Sequence, residues 1–191
     1  MRNYDLITPE GTKDLLFGEC IIRRDIENTL LDLFKSRGYC EMITPGLEFF
    51  DVFNLNSQYF PQENLYKLTD SKGRLLVMRP DSTMPIARVV ATRLRDAVLP
   101  LKLCYNQPVY STEPALKGRS DEIVQAGIEL IGSQLKMADL EVISTAADSL
   151  KSFGMEFSLE IGHIGIFKEL VGRLDASDRD KENIRKLIEN K

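Results

Sequence analysis

Two short stretches of the sequence carry polar residues whose types and spacing could form a binding site. In QAGIELIG, Gln125 and Glu129 are four positions apart in a run that predicts a strand, so their side chains share one face. In RPDST, Asp81 and Thr83 stand where a predicted helix begins. Carboxylate, amide and hydroxyl oxygens together suit an ammonium group, which has three hydrogen-bond donors and no acceptor.

Each of these residues also has a purely structural interpretation. Asp81 could do no more than cap the helix that starts near Ser82. Gln125 and Glu129 could be solvated residues on an exposed sheet face. The single histidine, His163, follows a glycine at a predicted strand–helix junction, and a junction hydrogen bond explains it better than catalysis, since no acid or nucleophile pattern accompanies it.

The composition limits the class of protein. The chain has 191 residues, 43% of them hydrophobic, which is enough for a domain with a real core. A formal net charge of −4 argues against a broadly basic surface for nucleic acid. Its three cysteines lack CxxC spacing, which is typical of a reduced cytoplasmic protein and not of a disulfide framework or a zinc site. No run of 18 apolar residues predicts a membrane span, so neither nucleic acid nor a membrane is an expected partner.

Hydrophobic periodicity predicts an α+β fold, in which helices flank an antiparallel β-sheet. Helices are predicted at 17–37, 81–97, 138–154, 164–172 and within 175–191. Strands are predicted at 38–50, as a hairpin within 64–80, at 101–106, as a second hairpin within 109–132, and at 156–162. Arg79, which precedes a proline, is expected to be structural.

Several stretches resemble one family, the class II aminoacyl-tRNA synthetases. GYCEMITPGLEFFDVF resembles their dimer-forming first motif, and VYSTEPALKGRSDEIVQAGIELIG resembles their second motif, the ATP-binding hairpin. TPEGTKDLL, RPDST and QAGIELIG are similar to histidyl-tRNA synthetases, and closer still to a paralogue of those enzymes, the regulatory subunit of ATP phosphoribosyltransferase. LEIGHIGIFKEL is similar to that paralogue specifically. The resemblance implies a synthetase-like core at 1–172 that lacks the third motif, followed at 173–191 by the start of a truncated helical insertion.

For the second motif, the resemblance implies an ATP-binding hairpin that no longer supports catalysis. Class II enzymes place an arginine on its first strand, whose planar fork binds the α-phosphate. Alignment on Glu113 and Arg119 puts Ser111 at that position. Loss of one such electrostatic stabiliser typically costs on the order of 10²–10³ in rate. The resemblance therefore implies a vestigial ATP hairpin, marked by Ser111, Glu113 and Arg119, and a protein without catalytic residues, cofactor or metal. Alternatively, Glu113 only braces the turn through an ion pair with Arg119.

For the binding residues, the resemblance implies a histidine site. Asp81 and Thr83 would hold the α-amino group, and Gln125 and Glu129 would line the amino-acid pocket. The implied function is that of a non-catalytic regulatory subunit, required for activity and histidine feedback in the first step of histidine biosynthesis. Its implied partners are the catalytic subunit of ATP phosphoribosyltransferase, histidine as effector, and a second copy bound through residues 38–48. Two alternatives stay open: a histidine–tRNA ligase core with a degraded ATP site, and a vestigial dimerisation module.

Overall fold

The computed structural model describes residues 4–54, 60–112, 120–174 and 176–189. Contacts divide the chain into two compact units, Met1–Met155 and Glu156–Lys191. This division falls earlier than the boundary predicted after residue 172, which stays a prediction. The described strands and the candidate site residues other than His163 belong to the first unit.

The described helices are α1 (Gly18–Ser36), α2 (Asp51–Asn54), α3 (Thr83–Thr92), α4 (Lys136–Lys151), α5 (Ile164–Gly172) and α6 (Asp178–Glu189), with 3₁₀ turns at Tyr4–Leu6 and Gln62–Asn64. The strands are β1 (Cys40–Glu41), β2 (Leu47–Phe49), β3 (Lys67–Thr69), β4 (Leu75–Met78), β5 (Leu101–Tyr110) and β6 (Glu122–Ile131). All five predicted helices are present. The strand predicted at 156–162 is wrong, because the regular elements described in that unit are helices and offer it no ladder to join.

The α+β class is confirmed, but the strands of the described residues form two three-stranded sheets, with orders β1-β5-β6 and β2-β4-β3. The pairs β5–β6, β2–β4 and β3–β4 are antiparallel, as expected for hairpins. The pair β1–β5 is parallel, with Cys40 opposite Leu103, and here the prediction of a wholly antiparallel sheet is wrong. A parallel pair needs a long crossover, and the β2-β4-β3 sheet together with α3 supplies it.

The first-motif segment, predicted as one strand at 38–50, is divided between the two sheets. Its β1 part joins β5 and its β2 part joins β4, and Pro45 lies in the link between them. Proline has no N–H for a ladder, so a strand is expected to stop there. The link therefore connects the two sheets of the first unit.

The segments predicted as two strands, at 101–106 and from 109, are one continuous strand, β5, despite Pro108. The Cys104 carbonyl accepts from Met42 N–H at 2.8 Å, and Tyr110 N–H donates to Arg79 O at 2.9 Å. The backbone N–H and C=O groups of the even-numbered residues of β5 therefore face away from β6. Pro108 shares that orientation, so its missing N–H costs the β5–β6 ladder nothing.

The paired strands β5 and β6 have two differently covered faces. On one face, Cys104 packs with Phe34 of α1 and with Tyr39. On the other, Leu103 and Tyr105 pack with Ile86 of α3. The N-terminal half of α1 is less well covered, and a cavity of about 450 Å³ lies between it and β6. Among the described helices, none combines the length and apolar character that crossing a membrane requires.

Candidate functional site

The turn between β4 and α3 is anchored by a buried arginine. Arg79 is 3% exposed, and its Nε donates to the Pro108 carbonyl at 2.7 Å. Its Nη1 donates to the carbonyls of Thr44 at 2.5 Å and Pro45 at 3.2 Å, and to Gln107 Oε1 at 3.0 Å. Burial lowers the pKa of Arg79, but an arginine remains charged at neutral pH. The structural role predicted for Arg79 is confirmed, since it fixes the position of the turn that carries Asp81.

Asp81 and Gln125 form a closed set of hydrogen bonds. Asp81 Oδ1 accepts from the Thr83 N–H at 2.7 Å, which is the capping interaction considered from sequence. Its other oxygen, Oδ2, accepts from Gln125 Nε2 at 3.0 Å. Gln125 Oε1 in turn accepts from the Ser82 N–H at 3.1 Å. Asp81 therefore caps α3 and also ties that helix to β6, so capping alone does not describe its contacts.

Glu129 shares the Gln125 face of β6, as the strand period predicts. Both side chains are half-buried, so the interpretation of a solvated, exposed face is wrong. Gly127 lies between them on this face and opposite Tyr105 of β5. A Cβ atom at Gly127 would lie 2.5 Å from Tyr105 Oη. Because Gly127 has no side chain, the Tyr105 ring can occupy the space between the side chains of Gln125 and Glu129.

The acidic residues of the site are coupled electrostatically. Burial raises the pKa of Glu129, and the charge of Asp81 raises it further, whereas a hydrogen bond from Thr83 lowers it. Burial raises the pKa of Tyr105, and the charges of Glu129 and Asp81 add to this increase, so that the pKa reaches about 12. A hydrogen bond with Thr83 lowers the pKa of Tyr105 by a smaller amount. The four predicted residues, Asp81, Thr83, Gln125 and Glu129, are therefore brought together, and we call them the polar cluster. Its two carboxylates and neutral oxygens can accept hydrogen bonds from a cationic ligand.

The raised pKa of Glu129 predicts a pH-dependent stability. The folded chain retains this proton to higher pH than the unfolded chain, so stability is lost as pH rises from the unfolded pKa, about 4.3, through the folded value. We expect Glu129→Gln to be more stable than the parent chain at pH 7, and the difference to vanish below about pH 4. Urea unfolding at a series of pH values measures this difference.

A matched control for this measurement is Glu122→Gln. Glu122 is exposed on the same strand, and its substitution is expected to change stability by less than about 0.5 kcal/mol. A stability gain in Glu129→Gln that grew as the pH fell would contradict the expected direction.

The residues of the predicted vestigial hairpin are only partly described. Ser111 directly follows β5, is half-buried, and its N–H donates to the Asp121 carbonyl at 2.9 Å. Glu113 and Arg119 lie outside the described residues. The loss of phosphate chemistry at this hairpin, and the alternative in which Glu113 braces Arg119, therefore stay predictions.

His163 has the structural contact expected of it. Its Nδ1 accepts a hydrogen bond from the Gly165 N–H at 3.0 Å, which caps the N-terminus of α5. The prediction of a junction hydrogen bond is confirmed.

Tyr105 is the residue of this site that sequence reasoning missed. It is 5% exposed and belongs to the run LKLCY, which is apolar apart from Lys102 and typical of a core strand. Only the register of β5 against β6 places it opposite Gly127. In the described ranges there is no group of three or more histidine, cysteine or acidic residues that could hold a metal ion.

Comparison with known proteins identifies close relatives of this chain. Proteins named ATP phosphoribosyltransferase regulatory subunit from Clostridium kluyveri and Clostridium acetobutylicum are 46% and 45% identical over 192 aligned residues, which cover 100% of this chain. The alignments cover 49% and 47% of those proteins, so the chain spans about half the length of the curated relatives it matches.

Solved structures show the same relationship. A crystal structure described as an ATP phosphoribosyltransferase regulatory subunit/histidyl-tRNA synthetase from Bacillus halodurans aligns with a TM-score of 0.87 and 32% identity, over 97% of this chain and 48% of that one. Apo histidyl-tRNA synthetase from S. aureus aligns with a TM-score of 0.67 and 27% identity, over 79% of this chain and 35% of that one. The family model described as histidyl-tRNA synthetase matches residues 11–191. With nearly all of its residues matched, and with the fold predicted from its motifs, this chain belongs to the histidyl-tRNA synthetase family.

Proposed function

We propose that this chain acts as a regulatory subunit of ATP phosphoribosyltransferase, has no catalytic activity of its own, and binds histidine at the polar cluster. The observation that carries the proposal is the arrangement of Asp81 and Gln125 beside the desolvated Glu129. The names of the relatives at 45–46% identity support the regulatory role.

The chemistry of the polar cluster supports an amino-acid ligand that has, besides its α-ammonium group, a second hydrogen-bond donor in its side chain. Asp81 has acceptor capacity left after its two hydrogen bonds, because an ionised carboxylate offers about four lone-pair sites. An α-ammonium group could use that capacity together with the Thr83 oxygen. Glu129 lies further along β6 and could accept a hydrogen bond from a side-chain N–H. Histidine carries both donors on one small molecule.

Ser111 supports the absence of catalysis. At the position where the family places a phosphate-binding arginine, a serine supplies one neutral hydroxyl and no bidentate cation. The reaction of the complex would then take place on a separate catalytic subunit, in the cytoplasm. Feedback would follow from linkage, with histidine bound more tightly by the inactive assembly than by the active one. A second copy would bind through residues 38–48.

The test is a calorimetric and thermal-shift titration of the chain with histidine, with each other amino acid, and with ATP in the presence and absence of histidine. A ligand at 100 times its Kd stabilises a protein by about 2.7 kcal/mol, which a melting curve detects easily. We expect a shift with histidine that ATP does not enhance. A response that required both histidine and ATP would favour a synthetase, and no response to any amino acid would favour a dimerisation module.

A further inference from the structure

Gln125 is hydrogen-bonded to two consecutive residues at the start of α3. Its Nε2 donates to Asp81 Oδ2 at 3.0 Å, and its Oε1 accepts from the Ser82 N–H at 3.1 Å. The orientation of the amide follows from the chemistry of these partners, because a backbone N–H only donates and an ionised carboxylate only accepts. The oxygen of Gln125 therefore faces Ser82, and its nitrogen faces Asp81.

The carboxylate of Asp81 is held at both of its oxygens. Oδ1 accepts from the Thr83 N–H of its own helix at 2.7 Å, and Oδ2 accepts from Gln125 of β6. The bond to Oδ1 alone would leave the carboxylate free to rotate about the Cβ–Cγ bond, whereas two donors on different elements fix its plane. The lone pairs of Asp81 that remain for a ligand then have a fixed direction.

The support that Gln125 provides comes from a regular element. Gln125 lies within the β5–β6 ladder, opposite Gln107, and its side chain is half-buried. Asp81 lies in the turn between β4 and α3. A side chain on a strand is held more precisely than one on a loop. The hydrogen bond from Gln125 therefore fixes the Asp81 carboxylate relative to the sheet.

We propose that Gln125 is a positioning residue of this site, which orients Asp81 towards the ammonium group of the ligand and does not bind the ligand itself. The proposal rests on the function proposed above, because that function supplies the ammonium group. An ammonium group has donors only, and the one acceptor atom of Gln125 is already bonded to the Ser82 N–H. Gln125 increases affinity by ordering Asp81 before the ligand arrives, so that binding does not have to immobilise that side chain.

The test compares three ligands: histidine, histamine, which lacks the carboxylate, and imidazolepropionate, which lacks the amino group. We expect Gln125→Met, which is similar in size, to weaken histidine and histamine about tenfold each, roughly the cost of ordering one side chain on binding. The affinity for imidazolepropionate is expected to change by less than about twofold, because it has no ammonium group for Asp81. Gln62→Met, at an exposed glutamine of the first unit, is the matched control and should leave all three affinities unchanged.

Three results of the titrations would overturn the proposal. Weakening of histidine and imidazolepropionate but not of histamine would mean that Gln125 binds the ligand carboxylate. Equal weakening of all three ligands would mean that Gln125→Met disturbs the whole site and that Gln125 has no particular role in the ammonium contact. Unchanged histidine affinity would mean that Asp81 needs no support from β6.

A second measurement needs no ligand and separates this proposal from the proposed function. In the NMR spectrum of the wild-type chain, we expect one Nε2 proton of Gln125 to resonate downfield of the other, because it is bonded to a carboxylate. Gln62 is the reference, since its Nε2 donates to the neutral Asn54 Oδ1 at 3.4 Å. The downfield shift should decrease in Asp81→Asn.

Gln125 amide protons that resemble those of Gln62, or a downfield shift that Asp81→Asn leaves unchanged, would overturn the proposal. If the wild-type chain binds neither histidine nor histamine, the proposed function fails, while the amide resonance still decides whether Gln125 orients Asp81.

Discussion

Arg79→Met is expected to destabilise the first unit by about 3–5 kcal/mol, a large part of the 5–15 kcal/mol that typically holds a domain together. The substitution removes the donor for the carbonyls of Thr44, Pro45 and Pro108, all of which Arg79 satisfies from a nearly inaccessible position. Each buried acceptor left without a partner costs about 1–3 kcal/mol. Equilibrium unfolding in urea, followed by circular dichroism, measures the loss.

Two further variants make this result specific. Arg24→Met removes an arginine whose side chain is 76% exposed and whose partner Glu27 retains Arg23, so we expect a change below about 1 kcal/mol. Arg79→Lys keeps the charge but loses the planar fork, and is expected to fall between Arg79→Met and wild type. If Arg79→Met unfolded within about 1 kcal/mol of wild type, the anchoring role assigned to Arg79 would be wrong.

Asp81→Asn is expected to weaken histidine binding at least about 100-fold, which corresponds to roughly 2.7 kcal/mol. It removes the negative charge proposed to hold the ammonium group, and it places an amide beside Gln125 Nε2, which now donates to Asp81 Oδ2 at 3.0 Å. One amide oxygen can still accept from the Thr83 N–H, so the cap of α3 survives. Isothermal titration calorimetry with histidine measures the change in affinity.

The matched control for Asp81→Asn is Asp96→Asn, an exposed aspartate of the first unit. It should leave histidine affinity unchanged within about twofold, because exposed charges are screened and contribute little at a distance. Asp81→Ala adds the loss of the cap, about 1 kcal/mol of stability, to the loss of binding. Histidine affinity in Asp81→Asn within about twofold of wild type would contradict the assignment of the ammonium to Asp81.

The residues of the candidate site could be predicted only in pairs. The period of two along a strand places Gln125 and Glu129 on one face, and the preference of aspartate for helix N-termini places Asp81 at the start of α3. Nothing in the spacing of these residues brings the two pairs together, since 43 positions of chain separate Gln125 from Ser82. The resemblance to the family supplied that connection, and in the structure the hydrogen bond from Gln125 Nε2 to Asp81 Oδ2 joins the two pairs.

The secondary structure was determined by the sequence where local signals suffice. The helices α1, α3 and α4 follow from apolar residues at helical spacing, because the hydrogen bonds of a helix lie within its own segment. Strands depend on partners elsewhere, and here local reasoning failed. The alternating run at 156–162 finds no strand among the described residues of its unit, and β1 pairs parallel with β5, where the hairpin pattern suggested antiparallel pairing.

The sequence by itself therefore determined the α+β class, the helices, the family and the faces on which the polar residues lie. Tertiary structure alone decided that Tyr105 lies against Gly127 and that Arg79 fixes the turn before Asp81. Each of these contacts joins residues far apart in the chain, through a strand register or a buried hydrogen bond. A one-residue change of register would turn Tyr105 to the opposite face of the sheet, so the site exists only once the two strands have paired.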